Sequence, residues 1–147
     1  EFGRIVDQAT ALGRELFSGL FEEFPHLKFI HTMFGGNWFA NQNLTTPHKS
    51  KKNEVLARFD TTEADRIEKY LKNNIFYDMT HPASWGKDQV ECAVKVCGAD
   101  HLLFGSSFPV VYGWMSSGVD FVKCLDITEE QRQLIFHGNA ERLFKLA

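Results

Sequence analysis

Three short apolar runs in this chain each end beside a residue able to do chemistry: His31 in KFIHT, Asp78 in IFYDM with His81 just after it, and Ser107 following LLFG. A carboxylate holds a cation or accepts a proton, an imidazole shuttles a proton near neutral pH, and a serine hydroxyl does little of either without a base beside it. In enzymes of alternating strands and helices, the C-terminal strand ends face the ligand pocket. His31, Asp78 and Ser107 are therefore the candidate catalytic residues. Asp78 with His81 suits a cation or a proton relay, and Asp78 equally suits closing its own loop by accepting backbone N–H groups. Ser107 sits outside any G-x-S-x-G elbow, so a triad of Ser107, a histidine (His31 or His81) and Asp78 has weak sequence support.

The elements that would carry these residues alternate between helix and strand. Apolar residues Ala9, Leu12, Leu16, Leu20 and Phe24 recur near the helical period, predicting an amphipathic helix from Asp7 to Phe24 that Pro25 ends. Lys28 to Thr32 reads as a strand before Gly35 and Gly36. Residues 37–60 are polar and mixed, predicting a loop with a short helix at Asn53 to Phe59. A helix from Glu63 to Lys72 with Thr62 as its cap leads to a strand from Ile75 to Met79. Asp88 to Cys97 reads as a helix stopped by Gly98, and Leu102 to Gly105 as the third strand. Helices follow from Ser117 to Leu125, from Thr128 to Phe136 with Thr128 and Gln131 in capping-box spacing, and from Asn139 onward. Such alternation implies parallel pairing through right-handed crossovers, an α/β sheet covered by helices.

Composition excludes several classes. The chain has 147 residues, 44% hydrophobic and 24% charged, with a net charge of −3, which suits one globular domain over residues 1–147 and gives no electrostatic footprint for nucleic acid. The cluster Lys49, Lys51, Lys52 reads as a solvated loop. No apolar run is long enough to span a bilayer and no secretion signal is present, so a cytoplasmic setting is expected. Cys92, Cys97 and Cys124 have no metal-knuckle or disulfide spacing and read as buried reduced thiols. Phe34, Trp38 and Phe39 suit either an aromatic pocket or core packing. His101 belongs at the entry to the last strand, on the stability face, and His137 in a structural turn, while His26 and His48 read as surface residues.

Four segments in order, SGLFEEFPHLKFIHTMFGG, IFYDMTHPASWG, CGADHLLFGSSFP and ITEEQRQLIFHGNAERLFKL, resemble the amidohydrolase-related family of aminocarboxymuconate-semialdehyde decarboxylase and its kin. The resemblance implies the C-terminal half of a (β/α)8 TIM barrel, whose full form takes roughly 250 residues. It implies a metal-dependent hydrolase or non-oxidative decarboxylase of small carboxylic or aromatic acids, with zinc or manganese as cofactor. The family's His-x-His pair and a further histidine ligand would lie before Glu1.

Two family positions that this chain does cover differ from the family pattern. The histidine that helps activate the metal-bound water falls at Met33, and the metal-binding aspartate of the last strand falls at Ser107. A thioether is no base and a hydroxyl is a poor ligand for zinc or manganese, so the family mechanism does not transfer directly and metal binding by this chain is in doubt. Period-two alternation would set His31 on the same inward face as Met33, roughly 6 to 7 Å deeper along the strand, as a buried hydrogen-bonded histidine or a relocated ligand. The alternative reading is a catalytically inactive relative serving as a binding or assembly module. A half barrel also leaves its inner face and sheet edges open, so a homo-oligomer or a separately supplied N-terminal half is the expected partner, beside a small-molecule substrate.

Overall fold

The computed structural model describes residues 2–45 and 61–146. Three parallel strands form its sheet in the order β1 (Phe29–His31), β2 (Ile75–Asp78), β3 (Leu102–Leu103). Phe29 is level with Ile75 and His31 with Tyr77, and Tyr77 is in turn level with Leu102, so His31, Tyr77 and Leu102 share one face. Helices join parallel strands because the chain must return to the starting edge before it can pair again. The strands are shorter than their apolar runs, since Thr32, Met79 and the residues Phe104 and Gly105 belong to the turns that follow.

Helix α1 (Phe2–Phe17) starts earlier than expected and buries Leu12 and Leu16 completely. The chain breaks at Gly19, where φ is +82°, so the expected single helix to Phe24 is two, with α2 at Leu20–Glu23. Phe21 of α2 packs edge-on to Phe29 at 6.0 Å and against Tyr70 at 5.2 Å, tying the break to the sheet.

The largest departure from the expected elements follows β1. Met33–Thr45 is helical rather than loop, but its opening residues Met33 to Asn37 all have positive φ, and only then does a right-handed helix, α3, continue. Phe34, Trp38 and Phe39 are buried in the core here, not in a pocket, with Phe34 edge-on to Phe39 at 5.6 Å and to Trp85 at 5.3 Å. Gly36 explains how α1 can lie on this turn: a Cβ there would stand 2.1 Å from the Ile5 carbonyl oxygen and 2.6 Å from the Ala9 nitrogen. The expected short helix at Asn53 to Phe59, the cluster Lys49 to Lys52 and His48 lie outside the described residues.

Helix α4 (Thr61–Asn73) begins one residue before Thr62, which therefore lies inside it rather than capping it. It buries Ile67 and Tyr70, and α5 (Lys87–Cys97) buries Val90, Ala93 and Val94, ending at Gly98 as expected. Beyond β3, α6 runs Trp114–Lys123 and α7 Glu129–Gln133. Thr128 and Gln131 make the anticipated capping box, which satisfies two otherwise orphaned N–H groups at the start of α7. One π-helical turn, Leu134–Gly138, joins α7 to α8 (Asn139–Phe144). Asn139 caps nothing: fully buried, its Nδ2 donates to the carbonyls of Ala99 at 2.7 Å and Leu102 at 2.8 Å, fastening α8 beneath β3.

The remaining sequence expectations divide. His101 is buried at the entry to β3, its Nδ1 2.8 Å from the Ile75 carbonyl and its ring stacked on Phe76, a structural placement as expected. His137 lies in the π-helical turn between Gln133 and Glu141, and His26 is exposed. The cysteines correct the expectation of burial: Cys92 and Cys124 are exposed because they fall on the outer faces of their elements, and only Cys97 is partly covered. Among the described residues no helix is long and apolar enough to cross a membrane.

Candidate functional site

Each strand hands over to the loop beyond it through a non-glycine residue of left-handed backbone. Met33 follows β1 with φ +55°, Thr80 follows β2 with φ +43°, and Ser107 follows β3 with φ +57°. Side chains resist this region of backbone space, and such residues cluster where surrounding structure holds them for a purpose. All three line one cavity of about 360 Å³ at the C-terminal ends of the strands, together with Thr32, His81, Val110 and Trp114. Arg4, Asp7 and Gln8, on the first turns of α1, close its other side. A neighbouring hollow of about 340 Å³ shares Met33, His81 and Trp114 and adds Ile5, Ser84 and Trp85.

Asp78 is the keystone under the floor of this cavity. Its Oδ1 accepts the Thr80 N–H and, at 3.2 Å, the Thr80 hydroxyl. That hydroxyl then has only its lone pairs to offer, and it takes the Met33 N–H at 3.0 Å and pairs with the Thr32 hydroxyl at 2.6 Å. One carboxylate thereby orders the rims of β1 and β2 together. Burial pushes the Asp78 carboxyl above its ordinary value, while the two Thr80 bonds and the nearby His81 oppose that rise. Asp78 thus closes its loop through a backbone N–H, one of the two roles its sequence position allowed.

His81 and Ser107 meet across the cavity, with Nδ1 and Oγ 3.3 Å apart. The imidazole lies against the Trp114 indole, ring centroids 4.3 Å apart and 25° from parallel, so its orientation is set from behind. Trp85 braces the same loop by donating its Nε1–H to the Met79 carbonyl at 3.0 Å. The hydroxyl and imidazole are adjacent, but the Asp78 oxygen that would complete a relay is bonded to Thr80.

His31 lies elsewhere. Its Nε2 stands 2.7 Å from Glu15 Oε2, a partly buried pair that joins β1 to α1, and its ring stacks on Phe29 at 5.9 Å. The expectation that His31 and Met33 share an inward face fails, because β1 ends at His31 and the left-handed Met33 breaks the alternation. Of the three candidate residues, Ser107 lines the cavity, Asp78 supports it through Thr80, and His31 serves the helix layer. Sequence reasoning missed Thr80 and Trp114, whose positions next to a strand end and at a helix start were signals, and it had no means to bring the start of α1 over the strand ends.

The polar side chains facing the cavity are hydroxyls, one imidazole and an indole from the strand side, with the Asp7 carboxylate, Arg4 and Gln8 opposite. Among the described residues no group of three or more His, Cys, Asp or Glu side chains is placed to hold a metal ion. Zinc and manganese take several imidazole and carboxylate donors at once, and the one imidazole and one carboxylate of this lining are too few to hold the metal that the family resemblance implies.

Comparison with known proteins agrees with the architecture. The chain is 26% identical over 137 residues to 2-keto-4-carboxy-3-hexenedioate hydratase of Sphingobium sp., covering 88% of this chain and 36% of that protein. It is 28% identical over 142 residues to γ-resorcylate decarboxylase of Polaromonas sp., covering 90% of this chain and 39% of that protein. The crystal structure of a dihydroxybenzoic acid decarboxylase from Polaromonas sp., with bound manganese and the inhibitor 2-nitroresorcinol, superposes with a TM-score of 0.67 at 25% identity, over 94% of this chain and 40% of that one. The chain thus spans about two fifths of the length of its relatives, consistent with part of a TIM barrel. The amidohydrolase family model matches residues 2–146, nearly every residue present, and on that match the chain belongs to the amidohydrolase family.

Proposed function

We propose that the chain is the C-terminal part of an amidohydrolase-type enzyme, a non-oxidative decarboxylase or a hydrolase or hydratase, acting on small carboxylic or aromatic acids. The observation that carries this reading is the cavity at the strand ends, where the His81–Ser107 pair faces apolar and aromatic walls from Met33 and Trp114. The relatives named above are by name a hydratase and a decarboxylase of such acids, and the dihydroxybenzoic acid decarboxylase shares the fold over 94% of this chain. Arg4, with the Asp7 carboxylate on the same side, gives the rim a cation for an anionic group, and His81 and Ser107 orient the polar end of an acid while the indole covers its flat face. Asp78 acts as a positioning residue through Thr80, and His31 steadies α1. Zinc or manganese is implied by kinship, and the described residues supply no ligand set for either.

The reading also assigns the partners. The edges of β1 and β3, unpaired among the described residues, and the exposed Ile30, Val110 and Tyr112 are surface for the rest of a barrel or a second copy to cover. A cytosolic enzyme suits the unpaired cysteines. The deciding experiment incubates the full-length protein with 2,6-dihydroxybenzoate and related acids and follows loss of the aromatic acid by absorbance and chromatography. Turnover that falls at least tenfold in His81→Ala supports the reading. Folded protein that neither turns over nor binds any acid of the series rules it out.

A further inference from the structure

The cavity at the strand ends and the hollow beside it differ in chemistry. The first, of about 360 Å³, is faced by Arg4, Asp7, Gln8, Thr32, Thr80 and Ser107. The second, of about 340 Å³, has Ile5, Ser84 and Trp85 in their place, with no carboxylate, ammonium or guanidinium group in its lining. The two meet at a waist of Met33, His81 and Trp114, which line both. Helix α1 runs across them, Arg4 lining the first and Ile5, the next residue, the second. The apolar walls are held in place. Trp85 donates to the Met79 carbonyl at 3.0 Å and stands edge-on to Phe34 at 5.3 Å. The backbone that carries Ile5 lies so close on Gly36 that a Cβ there would be 2.1 Å from the Ile5 carbonyl oxygen. At the waist the imidazole is stacked on Trp114, and the Met33 N–H is bonded to the Thr80 hydroxyl at 3.0 Å, which leaves the unbranched thioether as the adaptable part.

We infer that the second hollow is a subsite for an apolar substituent, so that the preferred substrate is an aromatic acid carrying a short alkyl chain. This rests on the reading of the cavity as an acid-binding site. The acid and its hydroxyls lie in the polar cavity, the ring at the waist, and the alkyl chain against Ile5, Met33 and Trp85. The opposite placement would press hydrocarbon against Arg4 and Asp7 and strip water from their charges, which is costly. A methylene buried between apolar side chains instead strengthens binding by a factor of about four. Met33 is then the specificity-determining residue, because its side chain sets how wide a group passes from one hollow to the other.

The test is calorimetric titration of 2,6-dihydroxybenzoate and of its 3-butyl and 4-butyl derivatives into full-length protein with manganese present. At least one butyl acid is expected to bind about fivefold or more tightly than the unsubstituted acid, since a butyl group offers several methylenes to the hollow. Ser84→Phe puts a ring into the second hollow from an exposed position and is expected to abolish that gain. Ile5→Ser leaves the hollow open but removes its apolar wall, and is expected to cut the gain by about half or more, a second reading where Ser84→Phe does not fold. A gain below fivefold for both butyl acids, or one that survives either substitution in folded protein, overturns the inference while the acid-binding reading stands. Absence of binding by all three acids, in protein whose circular dichroism shows it folded, overturns both.

Discussion

The carboxylate of Asp78 lies against the backbone of Gly105, with so little room that a single methyl group there would come within 2.2 Å of Oδ1. Gly105→Ala must therefore expel the carboxylate from its bonds to Thr80 or bend the turn after β3. Overpacking of this kind costs about 1–3 kcal/mol. Urea unfolding reads it directly, and a variant as stable as the parent would show that Asp78 is free to move.

Asp78 also makes stability depend on pH. Its folded carboxyl is raised above the ordinary value chiefly by burial, so its contribution is fully present below the unfolded carboxylate value and is lost as pH rises through the folded one. Asp78→Asn keeps an oxygen for Thr80 and removes the charge. The variant should gain stability relative to the parent between pH 4 and pH 7. A difference that stays flat or shrinks over that range contradicts the placement of the carboxylate.

Asn139 supplies both donors that fasten the last helix to the entry of β3. Asn139→Ala leaves the carbonyls of Ala99 and Leu102 facing a void, a loss of about 3 kcal/mol by the cost of unsatisfied buried groups. Asn139→Asp, which turns an acceptor toward two acceptors, should be no better at pH 7. Denaturant midpoints of the two variants measure this, and changes below about 0.5 kcal/mol would refute it.

The thiols offer an independent check on burial. Cys92 and Cys124 are exposed, whereas burial pushes the Cys97 thiol up to about 12, leaving it protonated at ordinary pH. Ellman's reagent at pH 8 should titrate Cys92 and Cys124 quickly, and Cys97 only after denaturant is added. Rapid reaction of Cys97 in the native protein would mean that α5 opens readily.

His31 separates structural from catalytic roles. Its bond to Glu15 is partly buried, and neither residue is among those lining the cavity. His31→Leu should lower stability by about 1–3 kcal/mol through the acceptor left at Glu15, with ligand affinity unchanged in the fraction that folds. A tenfold loss of affinity at full stability would return His31 to the site.

Much of the fold is legible in the chain because local rules and tertiary packing agree. The runs around Phe29, Ile75 and Leu102 are apolar and bounded by turn residues, and Thr128 with Gln131 announces α7 by its cap. Met33 to Asn37 escape such reading, since alternation assumes that a strand continues and nothing local marks where its backbone turns left-handed. The same assumption misplaced His31. Asn139 has the residue type of a cap, and only the proximity of two carbonyls from β3 gives it a different task. The small-residue turn after LLFG marks Ser107 as a candidate in the sequence, whereas its distance from His81 depends on two loops whose course no spacing encodes.

The backbone at Met33, Thr80 and Ser107 has a consequence for how this protein can be improved or lost. Glycine would hold each of these positions with about 1–2 kcal/mol less resistance than the residue now there. At Met33 and Thr80 the buried packing and the Thr80 hydrogen bonds outweigh that gain, so simple selection for heat tolerance would find it most readily at Ser107, where it would erase the hydroxyl beside His81. At Ser107 robustness and the lining of the cavity draw on one residue, so a thermostable descendant that keeps this hydroxyl must find its stability elsewhere.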